Sequence, residues 1–123
     1  MPVTFDRFRS LALELPDTAE SAHMSHPDFR VGGRVFATLG YPNADFGMVK
    51  LTPEQQDALH EAEPEVYVPV KGGWGRGGAT TVQLKKARVP TVRRALRIAW
   101  ENARSRGPSR KRVQSRRSRV SRP

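Results

Sequence analysis

The residues best suited to binding or chemistry lie in a glycine-rich run in the second half of the chain. Residues 71–78 hold five glycines, one large aromatic side chain, Trp74, and the cations Lys71 and Arg76. An exposed indole can stack on a nucleobase or sugar while nearby cations hold phosphates, so this run is a candidate nucleic-acid contact. The usual burial of tryptophan favours the alternative, in which Trp74 packs on a neighbouring sheet.

A second group of cations surrounds the start of the predicted last helix. Eight Lys or Arg residues fall within residues 71–97, and such clusters supply sequence-independent affinity for phosphates. The candidate phosphate contacts outside the glycine run are Lys85, Lys86, Arg88, Arg93, Arg94, Arg97, Arg110, Lys111 and Arg112. Arginine outnumbers lysine 17 to 5, which suits forked contacts to phosphate but is also the result expected from a biased genomic base composition. A solvated basic face without a ligand is the alternative.

The net charge of +10 is unevenly distributed along the chain. Residues 1–66 carry a net charge of −6, and residues 67–103 carry +7. From Arg104 to the C-terminus there are nine cations and no acids. A basic half and a basic tail attract phosphate backbones, anionic ligands or acidic proteins, and the sign of the charge does not choose among these partners.

The glycine run formally contains the G-x-G-x-x-G pattern of dinucleotide-binding sites. That site requires a strand before the glycines and a helix after them. Residues 79–84 are instead typical of a strand, and no Gly-Lys-Ser/Thr of a P-loop is present. We therefore expect a flexible hairpin tip or wing here, and no cofactor.

The other groups of candidate metal-binding or catalytic residues are weakly supported. His23, His26 and Asp28 have the side chains of a zinc site, but Pro27 interrupts a helix that would place them together and no fourth ligand is evident. His60 is expected to be solvated and without a partner on its helix. No nucleophile–base set can be assembled, so we expect neither a metal nor an enzymatic activity.

The composition indicates an intracellular protein. The chain has no cysteine, which fits a reducing compartment. No apolar run reaches the roughly 18–20 residues that span a bilayer, and residues 1–7 lack the features of a secretion signal. The expected location is the cytoplasm, with no membrane partner, and the expected state is a monomer.

Periodicity and capping signals predict one α+β domain with a mostly antiparallel sheet. Helices are predicted over residues 4–15, over 52–63 with Ala58, Leu59 and Ala62 facing inward, and from Pro90 onward. Strands are predicted over residues 29–31, 34–39, 46–51, 65–70 and 79–84. In the hairpin, Phe29, Val31, Val35 and Ala37 are predicted on one face, and Phe36 on the other or at its end. The predicted domain is 1–104, and residues 105–123 are predicted to form a disordered basic tail.

These elements resemble the MmcQ/YjbR family of small bacterial proteins. The resemblance covers roughly residues 5–104 and is carried by the segments 11–16, 18–20, 29–37 and 49–54, the turn around Trp74, and Ala99-Trp100 in the last helix. It implies an α+β fold of the double-wing type and a non-enzymatic DNA-binding function. On this interpretation the glycine run is a wing and the basic residues contact duplex DNA with low sequence specificity. A module that binds an acidic protein or a small ligand is the alternative.

Overall fold

The computed structural model describes residues 2–23, 26–40 and 43–105. In this part of the chain the strands are β1 (Ala19–His23), β2 (His26–Val31), β3 (Arg34–Leu39), β4 (Phe46–Lys50), β5 (Tyr67–Pro69) and β6 (Ala79–Gln83). The helices are α1 (Phe5–Leu13), α2 (Pro53–Ala62), α3 (Gly73–Arg76) and α4 (Val89–Ser105), with a 3-10 turn at Leu84–Lys86.

All six strands form one antiparallel sheet in the order β1-β2-β3-β4-β6-β5. The last strand in sequence, β6, lies between β4 and β5, which leaves the three-residue β5 at the edge. The predicted α+β class and antiparallel sheet are confirmed. The predicted strand after the glycine run is also confirmed, because β6 begins at Ala79.

The helices provide the cover that encloses the core. Helix α4 contacts β2, β3 and β4, and α1 contacts both β3 and α4. Helix α2 runs antiparallel to α4. The amides of Gln55 and Asn102 pair at one end of the two helices, and the Thr91 hydroxyl donates to the Glu63 carboxylate at the other. The predicted apolar stripe of α4 is buried, from Val92 to Ala103.

The predicted helix starts are confirmed at the level of single hydrogen bonds. The Thr4 hydroxyl accepts from the Arg7 amide at 3.0 Å. Thr52 and Gln55 form the reciprocal capping box, with Pro53 at the first helical position. These local bonds satisfy amides that the helical ladder leaves free, which is why the sequence indicates them reliably.

The predicted inward face of α2 was partly wrong. Leu59 is buried, but Ala58 and Ala62 are exposed, and Gln56 is buried instead. The reason is that α2 covers the edge strand β5 rather than the middle of the sheet, so only a narrow stripe of the helix is enclosed.

The β2–β3 hairpin forms around Gly32 and Gly33 as predicted, and both glycines have positive φ. Phe36, predicted on the other face from Ala37 or at the end of the hairpin, is fully buried, as is Ala37. Phe29 pairs with Ala37 and Arg30 pairs with Val35, so Phe36 is an extra residue in β3. Such a bulge interrupts strict alternation and turns two consecutive side chains toward the core.

Two further differences concern helix ends. The His60 ring was expected to have no partner, but its Nδ1 lies 2.6 Å from the carbonyl oxygen of Tyr67. Helix α4 continues to Ser105, one residue beyond the predicted domain boundary. The predicted disordered tail beyond it, residues 106–123, lies outside the described residues. None of the helices described combines the length and apolarity that crossing a bilayer requires.

Candidate functional site

A groove of about 550 Å³ lies beside the C-terminal half of α4. Its walls come from four distant parts of the chain: the β2–β3 turn, the end of β4, the glycine loop of residues 71–78, and α4. The described lining residues are Gly33, Arg34, Val35, Lys50, Leu51, Gly73, Trp74, Gly77, Ala79, Ala99, Asn102 and Ala103. Its volume is in the range of sites for small ligands or single nucleotides.

The two tryptophans have opposite environments. Trp100 is 6% exposed, and its indole N–H donates to the carbonyl oxygen of Pro16 at 3.0 Å. Trp74 is 71% exposed and lines the groove. The expectation that Trp74 packs on the sheet was therefore wrong. Trp74 lies on a short helix whose backbone packs closely against the rest of the domain.

That short helix, α3, is held by its backbone. The side-chain amide nitrogen of Gln56 donates to the carbonyl oxygens of Gly75 at 2.9 Å and Ala79 at 3.0 Å, and lies 3.1 Å from the hydroxyl of Thr80. Gly75 lies so close to Val70 that a Cβ atom on it would overlap the Val70 carbonyl. The predicted flexible tip is therefore an anchored helical turn, which holds the backbone of Trp74 at the groove.

The charged groups at the groove are cationic. Arg34 and Lys50 line it, and Lys71 and Arg76 are exposed on the glycine loop. Among the described lining residues none is acidic. Lys50, Lys71 and Arg76 make no ion pair with any residue in the described part of the chain. This end of the molecule therefore presents uncompensated positive charge.

The predicted cations just before α4 have acidic partners. Lys85 Nζ lies 3.4 Å from the carboxylate of Asp45, and Lys86 Nζ lies 4.0 Å from that of Glu65. All four side chains are well exposed, so each pair contributes little stability, about 0–1 kcal/mol. The pairs nevertheless reduce the positive potential at this end of α4.

The arginines on α4 are exposed, as predicted, but two of them are also paired. Arg93 reaches Glu14 at 3.5 Å, and Arg97 reaches Glu101 one turn along the helix at 3.4 Å. Arg94 lies near the buried phenol of Tyr67, where its charge favours the phenolate.

Arg88 lines a separate surface depression, of about 460 Å³, with Glu63, Glu65, Lys86 and Thr91. The N-terminal end of α4 is therefore a mixture of both charges. Arg88 and Ala103 are 15 positions apart, so roughly 20 Å separates this end from the groove at 1.5 Å per helical residue.

The predicted binding residues thus fall into two groups. Trp74 lines the groove, and Lys71 and Arg76 are on the same glycine loop but are not among the described lining residues. The six cations between residues 85 and 97 lie outside the groove, on α4 or in the segment just before it. The candidates Arg110, Lys111 and Arg112 lie outside the described residues.

Asp28, one of the three candidate metal ligands, already has a hydrogen-bond partner. The Asp28 carboxylate accepts two hydrogen bonds from the Arg30 guanidinium, at 3.0 and 3.2 Å, and is therefore committed. No group of three His, Cys, Asp or Glu residues suited to a metal occurs in the described ranges. The described groove lining has no histidine, hydroxyl or carboxylate side chain that could transfer a proton.

Sequence reasoning missed several residues of this site. Lys50, Arg34 and Asn102 line the groove, and Gln56 anchors α3. Gln56 could have been noticed as a polar residue one turn before Leu59 on the inward stripe of α2. The others come together only through the strand order, which no local pattern contains.

The sequence profile of the YjbR family matches residues 13–102, and the chain belongs to this family. The predicted resemblance is thereby confirmed. The crystal structure of the Deinococcus radiodurans protein DR2400, which has a DUF419 domain, is similar to this fold with a TM-score of 0.65. The two chains are 23% identical, and the match covers 80% of this chain and 76% of that one. At this identity the likeness shows the fold. No curated protein matches the sequence.

Proposed function

We propose that this protein is a non-enzymatic, cytoplasmic, monomeric DNA-binding protein that contacts phosphates with low sequence specificity. The observation that carries the proposal is the clustering of uncompensated cations around one exposed aromatic. Lys50 lines the groove at which Trp74 is 71% exposed, and Lys71 and Arg76 lie on the loop that carries Trp74. Cations without acidic partners bind phosphates without first breaking an ion pair, so this end is the better phosphate-binding surface.

The geometry of the loops supports a two-sided grip on the nucleic acid. The turn at Gly33 and Arg34 forms one wall of the groove, and α3 with Trp74 forms another. We infer that these two loops act as the paired wings implied by the family resemblance. Helix α4 ends at Ser105, two residues beyond the groove residue Ala103. We infer that the basic residues later in the sequence, among them Arg110, Lys111 and Arg112, add to the same polyanion contact.

Low sequence specificity follows from the chemistry of the lining. Direct readout of base edges needs free amide or guanidinium groups aimed into a DNA groove. The Asn102 amide nitrogen instead donates to Gln55 Oε1 at 2.7 Å and to the carbonyl of Lys50 at 3.4 Å. The Arg34 guanidinium also lines the groove and already has an interaction partner. The remaining lining side chains are Lys50, apolar residues and Trp74, which contact phosphates and ring faces rather than base edges.

A salt titration of DNA binding tests the proposal. The full-length protein, a variant ending at Ser105 and the double variant Lys71→Gln/Arg76→Gln are compared on one duplex by fluorescence anisotropy. The truncation retains every described element. We expect the full-length protein and the variant ending at Ser105 to bind the duplex at low salt. We expect the double variant to reduce the magnitude of the slope of log K against log salt by roughly 1.8, at about 0.9 per lost phosphate contact.

The double variant Arg93→Gln/Arg97→Gln is the matched control, because it removes two cations that already have acidic partners. We expect it to change the slope by less than the groove-end variant. Failure of both full-length and truncated proteins to bind DNA would disprove the proposal. Binding by the full-length protein alone would assign the function to the tail. Equal binding of a polyglutamate peptide would favour an acidic protein partner instead.

A further inference from the structure

The exposed ring of Trp74 is attached to an unusually well-fixed backbone. Gln56 reaches α3 from a buried position on α2 and donates hydrogen bonds to the carbonyl oxygens of Gly75, within the glycine loop, and Ala79, directly after it. Gly78, at the end of the loop, lies directly against the carbonyl of Leu51. An aromatic side chain on a rigid backbone loses little conformational entropy when it binds a partner. Such anchoring is useful for an indole that contacts a ligand.

The groove beside the ring is open and has small side chains along it. Glycine and alanine supply half of the described lining residues, including Ala99 and Ala103 on α4. Small side chains leave space for a flat group to lie against the indole. Lys50 and Arg34 place positive charge in the same groove. The arrangement therefore combines a ring surface, free volume and cations within one site.

We propose that this groove binds an unpaired nucleobase of a single nucleic-acid strand, stacked on Trp74 with its phosphates held by Lys50 and the neighbouring cations. This inference rests on the proposed nucleic-acid binding and names the form of nucleic acid that the groove prefers. The bases of a duplex are stacked on one another, so their faces are closed to the indole, whereas a single strand exposes them. Because stacking uses the face that all bases share, we expect little preference among bases.

The experiment compares one single strand with one duplex of roughly 20 nucleotides, longer than the roughly 4–16 nucleotides that known single-strand domains cover. Full-length wild type, Trp74→Ala, Trp74→Phe and Val68→Ala are measured at one salt concentration. Val68 is the matched control, since it is an exposed apolar residue, at 43%, outside the groove lining. We expect Trp74→Ala to weaken single-strand binding by about 5- to 150-fold, which corresponds to the loss of one base–aromatic stack. Duplex binding should weaken by a smaller factor than single-strand binding, because the base faces of a duplex are closed to the indole.

Tryptophan fluorescence gives a second readout, which DNA bound only to the basic tail would not change. We expect the single strand to quench wild-type emission, and we expect Trp74→Phe to lose that quenching while keeping part of the affinity. Trp100 is buried and should contribute little to the change.

The inference would be overturned if Trp74→Ala left single-strand affinity unchanged, or weakened single-strand and duplex binding equally. An effect of Val68→Ala equal to that of Trp74→Ala would also overturn it. In each of these cases wild-type binding to DNA would remain, so the proposed function would stand. Absence of wild-type binding to either form would instead disprove both.

Discussion

Tyr67 is the clearest example of a single residue whose ionisation is linked to folding. Its side chain is buried, with an exposure of 1%, and its hydroxyl donates to the carbonyl oxygen of Thr91 at 2.8 Å. Burial raises the pKa of the Tyr67 phenol well above its ordinary value of 10.0, and the nearby Glu63 carboxylate raises it further. Arg94 opposes the shift. The phenol therefore remains protonated in the folded protein at a pH where an unfolded tyrosine ionises.

This linkage predicts a loss of stability at alkaline pH. Above about pH 10 the unfolded state releases the Tyr67 proton and the folded state keeps it, so the free energy of unfolding falls by up to about 1.4 kcal/mol per pH unit. Below that pH the contribution is fully present. Tyr67→Phe should cost about 0.5–1.5 kcal/mol at neutral pH through the lost hydrogen bond, but should lose this pH dependence. Urea unfolding of wild type and Tyr67→Phe at about pH 8 and about pH 11 measures this pH dependence. An equal fall in the free energy of unfolding of the two proteins between these pH values would contradict the prediction.

The surroundings of single side chains were the hardest part of the site to predict from sequence. The sequence does not show that Trp74 is 71% exposed. That exposure depends on how Gln56, from a distant helix, holds α3 in place. The bulge that buries Phe36 likewise depends on how β2 and β3 are registered. The charge of Lys71 and Arg76 was visible in the sequence. The absence of acidic neighbours in the described structure was not.

At the scale of elements, the glycine loop depends on two of its glycines for close packing rather than for flexibility. Gly75 is buried against the carbonyl of Val70, and Gly78, with φ of +112°, lies against that of Leu51. Gly77 is different, because a Cβ atom there would be 3.5 Å from its nearest neighbour and the residue has φ of −84°. The same substitution should therefore have opposite effects at two positions of one loop.

We expect Gly75→Ala to destabilise the protein by about 1–3 kcal/mol, because the added methyl group forces α3 away from β5. Gly77→Ala should be neutral or stabilise by up to about 1 kcal/mol, since alanine restricts the unfolded chain and fits the native conformation. Chemical denaturation of both variants measures the difference. Equal stability of the two would show that α3 is not held against Val70.

Elements with local signals were predicted well, and their arrangement was not. The starts of α1 and α2 depend on hydrogen bonds within four residues, and the stripe of α4 depends on a period that is visible in the sequence. The position of β6 between β4 and β5 depends on pairing across about 30 residues of chain. That strand order creates the groove, so the groove could not be predicted from local patterns.

For the whole molecule, the uneven charge along the chain becomes mixed on folding. Residues 1–66 carry −6 and residues 67–103 carry +7, yet Asp45, Glu65 and Glu14 from the acidic half pair with Lys85, Lys86 and Arg93 from the basic half. The fold therefore neutralises much of the basic half near the N-terminal half of α4. In the described part of the chain Lys50, Lys71 and Arg76 make no ion pair, and neither do Arg88 and Arg94 near the other end of α4.

Two matched substitutions on either end of α2 test this distribution of charge. Glu54 is exposed in the first turn of α2, near the pairing of Gln55 with Asn102 at the groove. Glu65 is exposed beyond the opposite end of α2 and pairs with Lys86. We expect Glu54→Gln to strengthen DNA binding by about twofold at low salt, because a charge roughly 10 Å from a bound phosphate contributes about 0.4 kcal/mol in water. Glu65→Gln should have a smaller effect, although it changes the net charge equally.

The comparison is informative because the two variants change the net charge equally at opposite ends of α2. Removing Glu65 also releases Lys86 from its ion pair, so an interface near the start of α4 would gain both from the lost repulsion and from the freed cation. A stronger effect of Glu65→Gln than of Glu54→Gln would therefore move the DNA interface away from Trp74. At about 0.15 M salt the screening length falls to roughly 8 Å, so the effect of Glu54→Gln should shrink with added salt. That dependence separates a change in the electrostatic field from a change in the structure of α2.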